Sequence, residues 1–214
     1  MEGGTALSPR PANPELARRA VETVAAIVEE RGPGAVTVVE VAKRVGYTAA
    51  AIYRYFDSRD VLLDRTIDYG VKRLADAIDV EALAAETDPV RRLRMLAHFY
   101  VSWGAANPGM YRLIFEHPVP VRPTEETRKK RQGALRNLEA EFRRGSDDGR
   151  LRGVESPPAE AMLLWSSLHG IVSLTVSGRL FGPQPKRGMA AQRAGELAEA
   201  LIDHLEPYWK GETS

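Results

Sequence analysis

The stretch Thr37–Leu62, TVVEVAKRVGYTAAAIYRYFDSRDVL, restricts what this chain can fold into more than any other part of it. Thr37 followed three residues later by Glu40 reads as a capping box, in which the Thr oxygen accepts one orphan N–H and the Glu reaches back to another. Val38, Val41, Ala42 and Val45 recur at three- and four-residue spacing, and Gly46 stands where a left-handed residue ends a helix. Thr48 can then cap a second helix that continues to about Phe56, and Asp57-Ser58 starts a third. Two short helices joined so tightly make a helix-turn-helix. On the second helix Ile52 and Phe56 turn toward Val41 and Val45. At about 100° per residue, Ala50 and Arg54 fall opposite, with Tyr53 on the flank. Small residues, a phenol and a guanidinium turned outward suit a helix pressed into a groove.

The run T-V-x-x-V-A-x-x-x-G-x-T-x-A-A-I-Y-x-Y-F-x-S-R-x-x-L resembles the DNA-binding domain of the TetR family of bacterial transcriptional regulators, over roughly residues 13–75. The Tyr53-x-Tyr55-Phe56 group followed by Ser58-Arg59 makes the resemblance specific. The resemblance implies that Thr37, Thr48, Tyr53 and Arg59 contact phosphates, which sets affinity and register. It leaves Ala49, Ala50 and Arg54 nearer the base edges, where Arg can read guanine and an alanine methyl can touch thymine. The family usually has Lys where this chain has Arg59. Both are cations near a helix start, but Arg offers a planar fork and Lys a point charge.

The net charge of +1 gives no whole-chain argument for nucleic-acid binding, so that argument rests on local placement. Between Arg31 and Arg59 the cations Arg31, Lys43, Arg44, Arg54 and Arg59 outnumber the anions Glu40 and Asp57, which predicts a locally positive face. The alternative is a set of ordinary solvated helix charges. The chain has no Cys, which excludes disulfides, thiolate metal sites and cysteine nucleophiles. No run reads as a membrane span or signal peptide, and a cytoplasmic protein is expected.

Residues 1–12 are aperiodic and contain Gly and Pro, so a disordered arm is expected, a passive tail in preference to one whose Arg10 brushes DNA. Asn13-Pro14-Glu15 starts a first helix with the buried stripe Leu16, Ala20, Val24, Ile27 and Val28. Arg18 and Arg19 on it read equally as phosphate contacts or as a solvated face. The expected division is a DNA-binding domain over 13–60, a connecting helix over 61–80 and a ligand-binding and dimerisation domain over 81–209. Asp79–Asp88 is expected to turn or end the connecting helix. Further helices are expected from Asp88-Pro89 to Ala106, over Thr124–Arg144, from Ala159 to about Leu180 and over Ala190–Trp209. Between them, HPVPVRP holds too many prolines for a helix. Arg128-Lys129-Lys130-Arg131 reads as a charged outer face. No segment has strand periodicity, so the fold class is all-α.

Trp165-x-x-x-His169-Gly170, with Asn107-Pro108-x-x-Tyr111-Arg112-Leu113-Ile114-Phe115, resembles a Trp-His-Gly (WHG) group of C-terminal domains in the same family, over roughly residues 88–206. Phe99, Tyr100, Trp103, Met110, Tyr111, Phe115, Met162 and Trp165 are either core or the lining of an apolar ligand pocket, with His169 a hydrogen-bond partner there. His98, His117, His169 and His204 lack metal-site spacing, so no metal and no cofactor are expected. Ser166, Ser167 and Ser173 share a helix with His169 but sit in no nucleophile elbow. The expectation is a homodimeric repressor of a palindromic double-stranded DNA operator, released by a small apolar or aromatic effector, and not an enzyme. Two other readings stay open: catalysis on a small apolar substrate around His169, and ligand-independent DNA binding. Leu168, Val172, Leu197, Leu201 and Leu205 are the expected dimer contacts, on two helices that form a four-helix bundle across the axis.

Overall fold

The computed structural model describes residues 14–118, 129, 132–180 and 187–212, and these contain helices and no strands. The expected arm at 1–12, most of the proline-rich stretch and most of the basic run at 128–131 lie outside the described residues. Helix α1 spans Pro14–Arg31, α2 Val38–Val45, α3 Ala49–Tyr53 and α4 Arg59–Asp76. They are followed by α5 Val80–Ala85, α6 Pro89–Ala106, α7 Pro108–Phe115, α8 Gly133–Asp147, α9 Pro157–Val176 and α10 Arg187–Lys210.

The helix boundaries follow from side chains acting on orphan amides. Thr37 Oγ1 accepts from the Glu40 N–H at 3.1 Å, Thr48 Oγ1 from Ala51 at 3.2 Å and Ser58 Oγ from Val61 at 3.2 Å. Gly46 ends α2 at φ 78°, a left-handed conformation that suits a residue without Cβ. The expected capping box is half formed. The Glu40 carboxylate is drawn to Arg44 at 2.9 Å and Arg31 at 3.2 Å instead of turning back to Thr37. Helix α3 is also shorter than expected and stops at Tyr53, because the Tyr55 and Phe56 amides both converge on the Ile52 carbonyl. In the acidic stretch after α4 the sequence reading foresaw only a break. There Asp79 caps the extra helix α5, accepting from Ala82 at 2.9 Å.

Two hydrophobic cores form. In one, Ile27, Val41, Ile52, Phe56, Leu63 and Ile67 knit α1 to α4. In the other, Leu93, Val101, Phe142, Leu164, Val172 and Trp209 join α6, α8, α9 and α10. Trp209 is fully buried, meets Phe142 edge-on at 5.0 Å between centroids, and donates from Nε1 to Glu160 at 3.1 Å. A buried ion pair fastens α6 to α8, with Arg92 Nε and Nη2 on the Glu141 carboxylate at 2.7 and 2.9 Å. Arg92 also donates to the carbonyls of Leu83 and Glu86.

Helix α7 crosses between the cores, and its Met110 and Leu113 belong to the first. At its start the Gly109 and Met110 amides donate to the Glu29 carboxylate of α1 at 3.2 and 2.8 Å. A Cβ on Gly109 would come within 2.4 Å of the Val28 carbonyl oxygen, so only glycine lets the two backbones meet. Helix α9 is apolar along its length, but not buried on both sides as expected. Leu164, Leu168 and Val172 face the core, whereas Met162, Leu163 and Leu174 are exposed. Contrary to the sequence reading, α9 is also long and apolar enough to cross a membrane by length and composition alone. Its packing against α6, α8 and α10 is that of a helix in a bundle.

Candidate DNA-reading face and ligand cavity

The two capped helices hold a defined set of side chains out to solvent. Ile52 is fully buried beneath α3, which anchors the short helix by one point. On its outer side Thr48, Ala50, Tyr53 and Arg54 are exposed, with Tyr53 at 49%. Ala49 is half-buried and packs on the first core, so it approaches a groove only from the helix edge. Thr37 and Lys43 flank α3 from α2, both exposed, and Lys43 makes no ion pair among the described residues. Val39 at 69% and Tyr47 at 43% extend the same surface, and the sequence reading missed both. For Val39 the signal was available, since it falls outside the Val38, Val41, Ala42 and Val45 stripe of α2.

Several expected cations are committed elsewhere. Arg44 forks onto Glu30 at 2.9 and 3.1 Å and bonds Glu40 at 2.9 Å, which ties α2 to α1. Those contacts pull both Glu carboxyl pKa values below the usual range. Arg59 donates from Nε to the Val36 carbonyl and from Nη2 to the Pro33 carbonyl, both at 2.8 Å. Arg59 thereby clamps the loop before α2, a task for which its planar fork is suited and a Lys is not. Arg18 pairs with Glu15 and Glu22 at 2.6 Å each, and Arg19 donates to the Val45 carbonyl at 3.0 Å. Of the cations counted between Arg31 and Arg59, Arg31 and Arg44 are paired with Glu40 and Glu30.

In the second core the aromatics divide. Tyr111, Phe115, Trp165 and His169 form one ring cluster, with Trp165 stacked on His169 at 5.2 Å and Tyr111 at 5.0 Å from Phe115. His169 Nδ1 lies 2.6 Å from the Tyr111 hydroxyl and 3.4 Å from that of Tyr100. Burial pushes the His169 pKa below its usual value and those of both tyrosines up, so all three are neutral at pH 7. Beside this cluster is a cavity of about 40 Å³ whose lining includes Phe99, Tyr100 and Trp165, together with Leu74, Ile78 and Leu168. Asn137 of α8 supplies an amide there.

Trp103 and Met110, expected in the pocket, instead pack on the first core. Their helices carry them to the side facing α1 and α4. Leu168 and Val172, expected at a dimer contact, are buried in this protomer's own core at 1% and 0% and have no surface to offer. Leu201 and Leu205 are half-buried against the same core, while Leu197 stays exposed. The apolar side chains that remain outward on α9 and α10 are Met162, Leu163, Leu174, Met189, Leu197 and Tyr208.

A short capped helix, anchored from below and held out to solvent beside a second one, defines a helix-turn-helix DNA-binding protein as the class. Residues 93–205 match the family model described as "Tetracyclin repressor-like, C-terminal domain", and residues 21–66 match that of "Bacterial regulatory proteins, tetR family". The chain belongs to the TetR family of bacterial regulators. It is 30% identical over 141 residues to the nucleoid occlusion factor SlmA of Escherichia fergusonii, covering 64% of this chain and 68% of that one. Among solved structures it is similar to a protein of unknown function from Rhodococcus sp. RHA1, with TM-score 0.75, 21% identity and coverage of 95% and 98% of the two chains. It is also similar to AibR in complex with isovaleryl coenzyme A and operator DNA, with TM-score 0.63, 22% identity and coverage of 90% and 98%.

Proposed function

We propose that this regulator is a cytoplasmic, homodimeric repressor that binds a palindromic operator and is released by a small apolar ligand. The outward set Thr48, Ala50, Tyr53 and Arg54 on a helix anchored by Ile52 carries this reading. Thr37, Thr48 and Tyr53 hold phosphates with Lys43 beside them, and Ala49, Ala50 and Arg54 approach base edges. Arg44 and Arg59 act from behind, by fixing the positions of α2 and its loop. One α3 spans only a few base pairs, so two copies related by a dyad are needed for a specific site.

The division into a DNA-binding unit over 13–60, a connecting helix over 61–80 and a ligand and dimer unit over 81–209 fits the two cores, with α7 as an added strut between them. The Trp165, His169 and Gly170 pattern supports reading the second unit as one of the WHG group. A ligand that prefers one spacing of the two reading heads shifts the population toward it, and equal affinity for both spacings would shift nothing. Glu29 on the α7 amides is a direct route by which movement in the second unit reaches α1.

For the dimer we propose the exposed face of α9 and α10. Leu163→Glu should give monomers in analytical ultracentrifugation, because the side chain is 63% exposed and contributes little to the protomer's own core. An unchanged dimer would refute this placement. The functional reading itself is tested by selecting genomic fragments with purified protein at about 150 mM salt, where phosphate-driven nonspecific binding is weakened. Recovery of a palindrome is expected, and no enrichment from folded, ligand-stripped dimer would overturn the reading.

A further inference from the structure

A second cavity of about 150 Å³ adjoins the first, and its lining includes Ala77, Asp79, Leu83 and Met95. The two share Ile78, Leu96 and Phe99 as a common wall. Phe99 is only half-buried. Together the cavities run from the α4–α5 corner to Trp165 and Leu168. The inner cavity, at about 40 Å³, has the scale of one or two waters, far below the roughly 300–1,000 Å³ of clefts that enclose ring-sized ligands. A narrow chain end can enter it with a small displacement of Phe99, and a fused ring cannot.

The lining is mostly apolar. Asn137 is part of the inner cavity's wall, and Asp79 is the single charged side chain lining either cavity among the described residues. Among the described residues no cation lines the path. Asp79 already accepts the Ala82 amide, which fixes its carboxylate in place at the start of α5. An anionic head at that mouth would lie beside another carboxylate, with no cation in the described lining to offset it.

We infer that the two cavities are one interrupted channel for an unbranched alkyl chain with a non-anionic head, the chain end reaching Trp165 and the head remaining at Asp79. This rests on the ligand-sensing reading above and narrows its chemistry. It also places the ligand against Ala77 and Ile78, beyond the end of the helix whose other end packs in the DNA-binding core. Opening the wall at Phe99 would then press directly on that helix.

The test uses full-length protein and three brominated probes whose heavy atom quenches tryptophan on contact: 10-bromo-1-decanol, 10-bromodecanoate and 1-bromonaphthalene. The alcohol should quench saturably, and the quenched component should be absent in Trp165→Phe. The carboxylate should bind about tenfold more weakly, and Asp79→Asn should close that gap, since Asn keeps the helix cap but removes the charge. Equal binding of alcohol and acid, or binding of the naphthalene alone, would overturn the chain and head assignment while leaving ligand sensing intact. No quenching by any probe would also overturn it, and a palindrome recovered by the operator selection would then show that DNA regulation stands without it.

Discussion

Tyr53→Ala is expected to abolish specific operator binding while leaving the circular dichroism spectrum and thermal midpoint unchanged. Half of the Tyr53 side chain is open to solvent and the anchoring of α3 falls to Ile52, so truncation removes a contact to DNA without opening the core. The loss should exceed the roughly 1–3 kcal/mol of a single base contact, because a phosphate contact sets the register in which every base-edge side chain works. It should also be doubled by the dyad. Fluorescence anisotropy with the selected operator measures this. Retained affinity would mean that α3 is not the reading helix.

Glu141→Ala should destabilise the protein by about 3 kcal/mol, measured by urea unfolding. It leaves the Arg92 guanidinium buried at 7% exposure with carbonyl acceptors and, among the described residues, only the charge of Glu86 nearby, with which it forms no ion pair. The two charges gain little over an apolar pair of the same shape, so the double variant Arg92→Met, Glu141→Leu should recover most of the loss. The joint matters to the cavity because Leu138, one turn earlier on α8, is part of its wall. A single substitution that costs nothing would show that water reaches the pair.

The helix-turn-helix was legible because its determinants are local. Caps, a left-handed glycine and apolar spacing act within a few residues, and the sequence places Thr37, Gly46, Thr48, Ile52 and Ser58 in the roles they take in the structure. The all-α class followed from the same periodicity. The protein partners of the cations were not legible, since an Arg is drawn to a phosphate, a carboxylate or a carbonyl according to what lies across from it. For Arg59 the deciding acceptors are 23 and 26 residues away.

The second half was less legible. A helix apolar on every side, such as α9, does not say which face its own protomer covers, so Leu168 and Val172 read as plausible interface until packing buried them. Trp103 and Tyr100 are three residues apart on one helix, yet they belong to different cores. The sequence by itself determined the all-α class, the starts of α2, α3 and α4 and the outward face of α3, because hydrogen bonds to near neighbours settle those. Only the tertiary structure decided the Glu29 cap on α7, the Arg92–Glu141 joint and the two cavities meeting at Phe99. Each depends on side chains brought together from distant positions, and no local spacing encodes which helix faces meet.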